Sequence, residues 1–240
     1  MKLRHLLSAA LLFASFSANA ELIHQYRLNN SLADDFGGPS LVANGGTFTA
    51  DRYVFGANQG LTLNENLGSV YTIDFVYNFS IQSGYRKLID YANRTSDNGV
   101  YAQGGGALFY VSGGNGGVGT VMSPNVDSQF TVTRDASGAM KAYVNQALVY
   151  SYIDSGNALT FGNIANFFMD DGAVGGEASP GQVDFLRIFD TALSGAEVAG
   201  LGPALAPTVD PTDVPEPASG ALVLAGLGML GLARRRQRVA

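Results

Sequence analysis

Between residues 21 and 202 the chain is a series of short apolar runs rich in Val, Tyr, Phe and Thr, each broken by polar residues and glycine. Runs of this length and composition, bounded by turn residues, are the signature of short β-strands. Strands are expected at 22–28, 59–63, 70–79, 86–91, 107–111, 129–134, 140–145, 148–153, 165–169 and 183–189. Turn sequences stand between them, among them Asp97-Asn98-Gly99, Asp135-Ala136-Ser137-Gly138 and the glycine-rich piece around Gly113–Gly117. The spacing predicts an all-β fold of two antiparallel sheets packed as a sandwich. Only one helix has a good start signal, where Ser194 and Glu197 stand three apart as a capping box; it should run two turns, to Leu201.

Two apolar runs at the ends do not belong to this series. Residues 1–20 place Lys2 and Arg4 before an apolar stretch from Leu6 to Phe16, then Ala18-Asn19-Ala20. That order predicts a signal peptide removed by signal peptidase, with the mature chain starting at Glu21. At the other end, residues 218–233 carry no charge and precede Arg234, Arg235, Arg236 and Arg238. A helix of that length spans about 24 Å, short against a hydrocarbon core of about 30 Å. Flanking residues and arginine stems extend its reach. The arginines hold the cytoplasmic side, so the body before them lies outside. Pro203, Pro207, Pro211, Pro215 and Pro217 fall between body and tail, which predicts an extended linker. The chain therefore divides into a signal at 1–20, a sandwich at 21–202, a linker at 203–214 and a tail at 215–240.

Removing the ends changes the charge. Six of the 14 Lys and Arg lie in the terminal segments and all 20 Asp and Glu lie between them, so the exported part carries 8 − 20 = −12, against −6 for the whole chain. Such a body repels nucleic acid and anionic lipid. The absence of cysteine excludes disulfides and thiolate metal sites.

Two family resemblances rest on particular residues. Val214-Pro215-Glu216-Pro217, an apolar span and Arg234-Arg235-Arg236 resemble a PEP-CTERM sorting signal. The resemblance implies recognition of Pro215, Glu216 and Pro217 by an exosortase-type enzyme in the inner membrane. It also implies processing of the segment C-terminal to Pro217, and delivery to the surface, outer envelope or extracellular matrix of a Gram-negative-type bacterium. The body resembles the laminin-G-like, concanavalin-A-like jelly-roll superfamily in three places. These are Tyr26-Arg27-Leu28-Asn29 with Ser31-Leu32-Ala33-Asp34, the hairpin 130–145, and Val183–Asp190 with Ala192-Leu193-Ser194 and Glu197 after it. The hairpin departs from the pattern, with Gln146 where glycine usually succeeds Asn145.

Hydrolases of that superfamily use carboxylates on one strand, as Glu-x-Asp-x-x-Glu, and no glutamate here has that spacing. The only histidine outside the signal, His24, sits in the first strand, and no serine stands in a Gly-x-Ser-x-Gly elbow. An enzyme is therefore not expected. Calcium takes oxygen ligands from loops. If the first and last strands pair as in the superfamily, Asp34 and Asp35 approach Asp184, with Asp170, Asp171 and Glu177 in the preceding loop as further ligands of a structural calcium. Tyr85, Tyr91, Tyr101 and Tyr110 lie near turns and strand ends, where a sugar ring can stack. The expected function is a non-catalytic binding module for exopolysaccharide or another glycan. A hydrolase or lyase on the same sandwich, or a purely structural envelope protein, are the alternatives.

Overall fold

The computed structural model describes residues 20–111 and 121–203. The signal segment with Ala18, the glycine-rich piece 112–120, and the linker and tail from 204 onward, with Pro215, Glu216, Pro217 and the arginines, lie outside the described residues.

In chain order the strands are β1 (Leu22–Tyr26), β2 (Val42–Ala43), β3 (Thr47–Phe48), β4 (Tyr53–Phe55), β5 (Leu61–Leu63), β6 (Tyr71–Phe79) and β7 (Tyr85–Asp90). Next come β8 (Gly99–Gln103), β9 (Gly106–Tyr110), β10 (Ser128–Arg134), β11 (Ala139–Val144), β12 (Ala147–Ile153), β13 (Ala165–Phe167), β14 (Gly181–Phe189) and the helix α1 (Gly195–Gly200). One sheet runs β12-β11-β10-β6-β14-β4-β3, with β1 also paired to β14; the other runs β2-β5-β13-β7-β8-β9. Every pairing among the described residues is antiparallel. The expected two-sheet sandwich is the observed architecture.

The core lies between the sheets. From the larger sheet, Tyr71, Ile73, Phe75, Tyr77 and Phe79 of β6 enter it with Phe130, Val132, Leu186 and Ile188. From the smaller sheet come Leu61, Leu63, Leu88, Ile89, Val100, Ala102 and Phe109. Phe168 joins the two layers. It lies just past β13 with φ 60°, so the strand stops at Phe167 rather than reaching 169, and the ring turns into the sandwich. There it lies 5.1 Å from Phe55 and Phe75, 5.9 Å from Tyr77 and 6.0 Å from Phe79, centroid to centroid. A left-handed backbone at a bulky residue is strained, and these four ring contacts hold it there.

The outward face of the larger sheet receives the chain's exit. Ser194 accepts the Glu197 amide and Glu197 reaches back to the Ser194 amide, so the capping box starts α1 as expected. Val198 packs with Tyr143, Phe189 and Leu193. Beyond the helix the Gly202 carbonyl accepts from Arg187 at 2.7 Å and from Gln129 at 3.3 Å. Beneath it the buried Asp74 carboxylate takes Arg187 and Thr131. The β11–β12 turn is the two-residue loop Asn145-Gln146, both at positive φ, as the twist of a tight hairpin requires. Gln146 occupies the position glycine would favour, and its amide donates to the Leu201 carbonyl at 2.6 Å. The side chain that strains the turn also ties down the chain's exit.

Replacing Phe168 by alanine removes a buried ring (1 % exposed) from the joint between sheets. It should cost about 3–5 kcal/mol of stability, read as a lower urea midpoint with an unchanged slope.

Candidate functional site

The outward face of the smaller sheet is polar and aromatic. Val100 and Ala102 of β8 face the core, so Gly99, Tyr101 and Gln103 face outward. Across the β7–β8 pairing, Lys87 lies opposite Tyr101 and Tyr85 opposite Gln103. A bulge between Lys87 and Ile89 lets Leu88 and Ile89 both reach the core while Lys87 and Asp90 stay outside it. On β9, Leu108 faces Tyr101 and Tyr110 faces Gly99.

Lys87 is nevertheless wholly buried. The loop from Phe168 to Pro180 covers it and is held by several bonds. The ammonium bonds the Asp171 carboxylate and lies 3.9 Å from Asp90. The Lys87 amide donates to the Glu177 carbonyl at 2.9 Å. Arg86 donates to the carbonyls of Gly176 and Ala178, and Arg94 to that of Asp170. Asp170 accepts the amides of Asp171 and Glu177, and Asp171 those of Ala173 and Val174, so the two aspartates also shape the loop from within.

Under the loop the Lys87 ammonium sits 4.8 Å over the Tyr101 ring, a cation–π contact in a dry setting. A side chain on Gly99 would come within 3.3 Å of Lys87 and of the Tyr101 ring and within 2.7 Å of the Ile89 carbonyl, so only glycine leaves them room. The Tyr101 hydroxyl donates to Asp97 at 2.8 Å. Burial first, then the bond to Asp97 and the charges of Glu177, Asp97 and Asp171, raise the Tyr101 phenol far above its ordinary range. Glu177 is pushed up to about 7, chiefly by burial and next by the charge of Asp97. Asp90 is also raised by burial, with the Arg94 amide and Lys87 opposing. Burial would raise Asp171 as well, but the bond from Lys87 and the amides of Val174 and Ala173 reverse this and hold it low. Three carboxylate oxygens, one each from Asp97, Asp171 and Glu177, lie within 4.8 Å of one another.

Beside this cluster Tyr85, Tyr101 and Tyr110 meet edge to face, their centroids 6.0–6.2 Å apart. Tyr85 is 38 % exposed, Tyr110 half-buried and Tyr101 buried. Of the four tyrosines expected to offer stacking surfaces, Tyr85 and Tyr110 reach solvent, while Tyr101 is capped by Lys87. Tyr91 belongs to the core: it is 4 % exposed, lies 4.4 Å from Phe161 and hydrogen-bonds the Tyr71 hydroxyl. Its position one residue past β7 turns it inward.

The acidic residues expected to share a calcium do not converge. Asp34 folds back onto β1, bonding His24 Nδ1 at 2.8 Å and accepting the amides of Gln25, Phe36 and Gly38. Asp35 pairs with Arg27 and Gln25. Asp184 is the extra residue of the β14 bulge, between Val183 and Phe185; burial raises its carboxyl, with the charge of Arg52 opposing and those of Asp51 and Asp127 adding. The chain reverses after β1 at Leu28 and Asn30, both at positive φ, and the Asp35 amide donates to the Gln25 carbonyl at 2.8 Å, so the turn curls over its own strand instead of extending toward Asp184. Asp170 and Asp171 sit apart from these, with Asp97 and Glu177. Asp97 stands in the expected turn Asp97-Asn98-Gly99 and Lys87 within the expected strand 86–91, and neither was singled out as a site residue.

The fold and its sheets define a jelly-roll sandwich of the lectin type. The chain belongs to the concanavalin A-like lectin/glucanases superfamily, whose family model matches residues 55–199. Residues 213–237 match the PEP-CTERM protein-sorting motif, which indicates export to the cell envelope. No curated protein matches the chain. Among solved structures it is similar to domain 4 of AbnA, an extracellular arabinanase from Geobacillus stearothermophilus, solved with arabinotriose. That likeness has a TM-score of 0.57 at 18 % identity and covers 75 % of this chain and 98 % of that domain. A Trypanosoma rangeli sialidase matches with a TM-score of 0.59 at 11 % identity, over 73 % of this chain but only 31 % of the sialidase. The ligand-binding domain of botulinum neurotoxin serotype D, solved with N-acetylneuraminic acid, matches with a TM-score of 0.54 at 14 % identity, over 74 % and 49 % of the two chains. At these identities the likeness is one of fold.

The Glu177 shift gives a pH dependence of known sign. The folded carboxyl keeps its proton up to about 7, the unfolded one to 4.5, so stability present below pH 4.5 is lost as the pH rises through 7. In EDTA the melting temperature of the wild type should fall from pH 5 to pH 8 relative to that of Glu177→Gln. Parallel curves would contradict the assignment.

Proposed function

We propose that the sandwich is a non-catalytic glycan-binding module that the sorting signal delivers to the cell surface or its matrix. The observation that carries this reading is the aromatic and polar face of the smaller sheet, with Tyr85 and Tyr110 open beside Gln103 and Asp97. Rings with a polar tip offer a sugar both a flat apolar surface and hydrogen bonds, and a few convergent polar groups then set orientation. The fold neighbours solved with arabinotriose and N-acetylneuraminic acid support a carbohydrate ligand for this architecture.

Binding is favoured over cleavage by the state of the carboxylates. Of the three clustered carboxylates Asp97, Asp171 and Glu177, two are already engaged. Asp171 is neutralised by Lys87 and Asp97 holds the Tyr101 hydroxyl. The chain's exit at Gly202 lies on the outward face of the opposite sheet, which leaves the Tyr85 face clear of the linker's departure point.

The full-length chain should retain one or more glycans on an array without releasing reducing ends. Tyr85→Ala should weaken that retention about tenfold, since loss of one stacking ring costs about 1–1.5 kcal/mol. Retention of no glycan, or retention unaffected by Tyr85→Ala, would count against this face. Release of sugar would turn the reading to an enzyme.

A further inference from the structure

Lys87 and Asp171 are an amine and a carboxyl group held together away from water. Both side chains are wholly buried, and the Lys87 ammonium bonds Asp171 Oδ2. The other oxygen, Asp171 Oδ1, accepts two consecutive backbone amides, Ala173 at 2.7 Å and Val174 at 2.9 Å. Two amides aimed at one carboxyl oxygen are the arrangement that stabilises an oxyanion when the carbon beside it is attacked. The Tyr101 ring closes over the ammonium at 4.8 Å, so the nitrogen has little freedom to leave that carbon.

A buried ion pair needs only its own bond, yet this one also has groups beside it that can move protons. Asp90 Oδ2 is buried without a hydrogen bond, 3.9 Å from the Lys87 nitrogen. Burial raises the Asp90 carboxyl, which makes it a stronger base than an aspartate in water. On the other side Glu177 Oε2 is also buried without a partner, and one Glu177 oxygen lies within 4.8 Å of an Asp171 oxygen. Burial, then the charge of Asp97, push the Glu177 carboxyl up to about 7, so it can still donate a proton near neutral pH. An unsatisfied buried oxygen is costly, and a proton-transfer role accounts for one on each side of the same pair.

We propose that Lys87 and Asp171 join in an intramolecular isopeptide bond, an amide between Lys87 Nζ and Asp171 Cγ that fastens the covering loop to β7. The ammonium first passes a proton to Asp171 Oδ2 across their hydrogen bond, leaving a neutral amine and a neutral acid in place of two buried charges. The amine lone pair attacks Cγ, and the carbonyl π pair moves onto Oδ1, where the Ala173 and Val174 amides receive the charge. Asp90 takes the second proton from the nitrogen. The pair then returns from Oδ1, the bond from Cγ to Oδ2 breaks, and the Oδ2 hydroxyl leaves with the Glu177 proton as water. Solvent carries one proton back from Asp90 to Glu177. One ammonium and one carboxylate thus become one amide and one water, without a co-reactant. Holding the two groups in contact supplies the rate that they lack free in solution. The bond ties positions 84 residues apart in a chain that has no cysteine for a disulfide, and it does not require that a glycan bind.

Trypsin cuts after Arg86, Arg94, Lys141 and Arg187, which places Lys87 and Asp171 in the separate peptides 87–94 and 142–187. Mass spectrometry of the folded full-length protein, denatured and then digested, should find these two peptides joined and lighter than their sum by one water. Lys87→Arg, which keeps the cation, should abolish the joined peptide and lower the melting temperature by about ten degrees. Asp90→Asn and Glu177→Gln, each checked for native circular dichroism, should keep the fold and leave the two peptides mostly free. Recovery of 87–94 and 142–187 only as free peptides from the folded wild type would overturn the bond. Joining undiminished in both Asp90→Asn and Glu177→Gln would overturn the proton route assigned to these carboxylates.

Discussion

An ammonium group cannot be taken out of water without a partner, and this constraint at Lys87 organises one whole face of the protein. Lys87 stands on the outward side of the smaller sheet, where a lysine would ordinarily reach solvent. It is wholly buried instead, and Asp171 is brought over it from 84 residues away in sequence. Once Asp171 is drawn down, the rest of the loop is drawn with it. The Lys87 amide takes the Glu177 carbonyl, Arg86 takes the two carbonyls beside it, and Glu177 is placed against Asp97 and Tyr101. A structural ion pair thereby assembles the cluster of carboxylates and the tyrosine-lined edge that form the candidate site. Breaking such a pair from one side is far costlier than never having built it, so the loop and sheet are committed to each other.

The two outward faces have different tasks. On the larger sheet, Arg187 and Gln129 converge on the Gly202 carbonyl over a buried aspartate, and α1 closes a small apolar cluster there. That face fixes the chain's departure from the domain. On the smaller sheet no comparable terminal segment is tied down among the described residues, and Tyr85 and Tyr110 remain accessible. Phe168, held at a positive φ between the layers, keeps the faces in register through ring contacts with the larger sheet.

The long strands were legible because their apolar runs are long enough to stand out. β6, β10 and β14 run seven to nine residues, and the capping box of α1 could be read from Ser194 and Glu197. The strands β2, β3, β4 and β8 escaped notice. The first three are two or three residues long, and β8 opens on Gly99, which also ends a turn sequence. The tyrosines near turns were visible, but nothing local distinguishes Tyr91, which turns inward past β7, from Tyr85, which does not. The acidic pairs were visible too, whereas their partners depended on register. A bulge put Asp184 within the field of Arg52, and a fold-back put Asp34 on His24. Lys87 with Asp171 could not be read at all, since one looks like a solvated charge and the other like a loop aspartate until the sheet brings them together.

On the proposed reading, the Tyr85–Tyr110 edge and the loop clamped by Lys87 are where this domain meets its ligand. Hydrogen–deuterium exchange of the full-length chain, with and without the glycan it retains best, probes both elements at once. Exchange at 85–103 and 170–178 should slow on binding, with the strands of the larger sheet unchanged. Protection confined to the β11–β12 edge or to the face under α1, with the Lys87 loop unaffected, would place the ligand elsewhere and refute this reading.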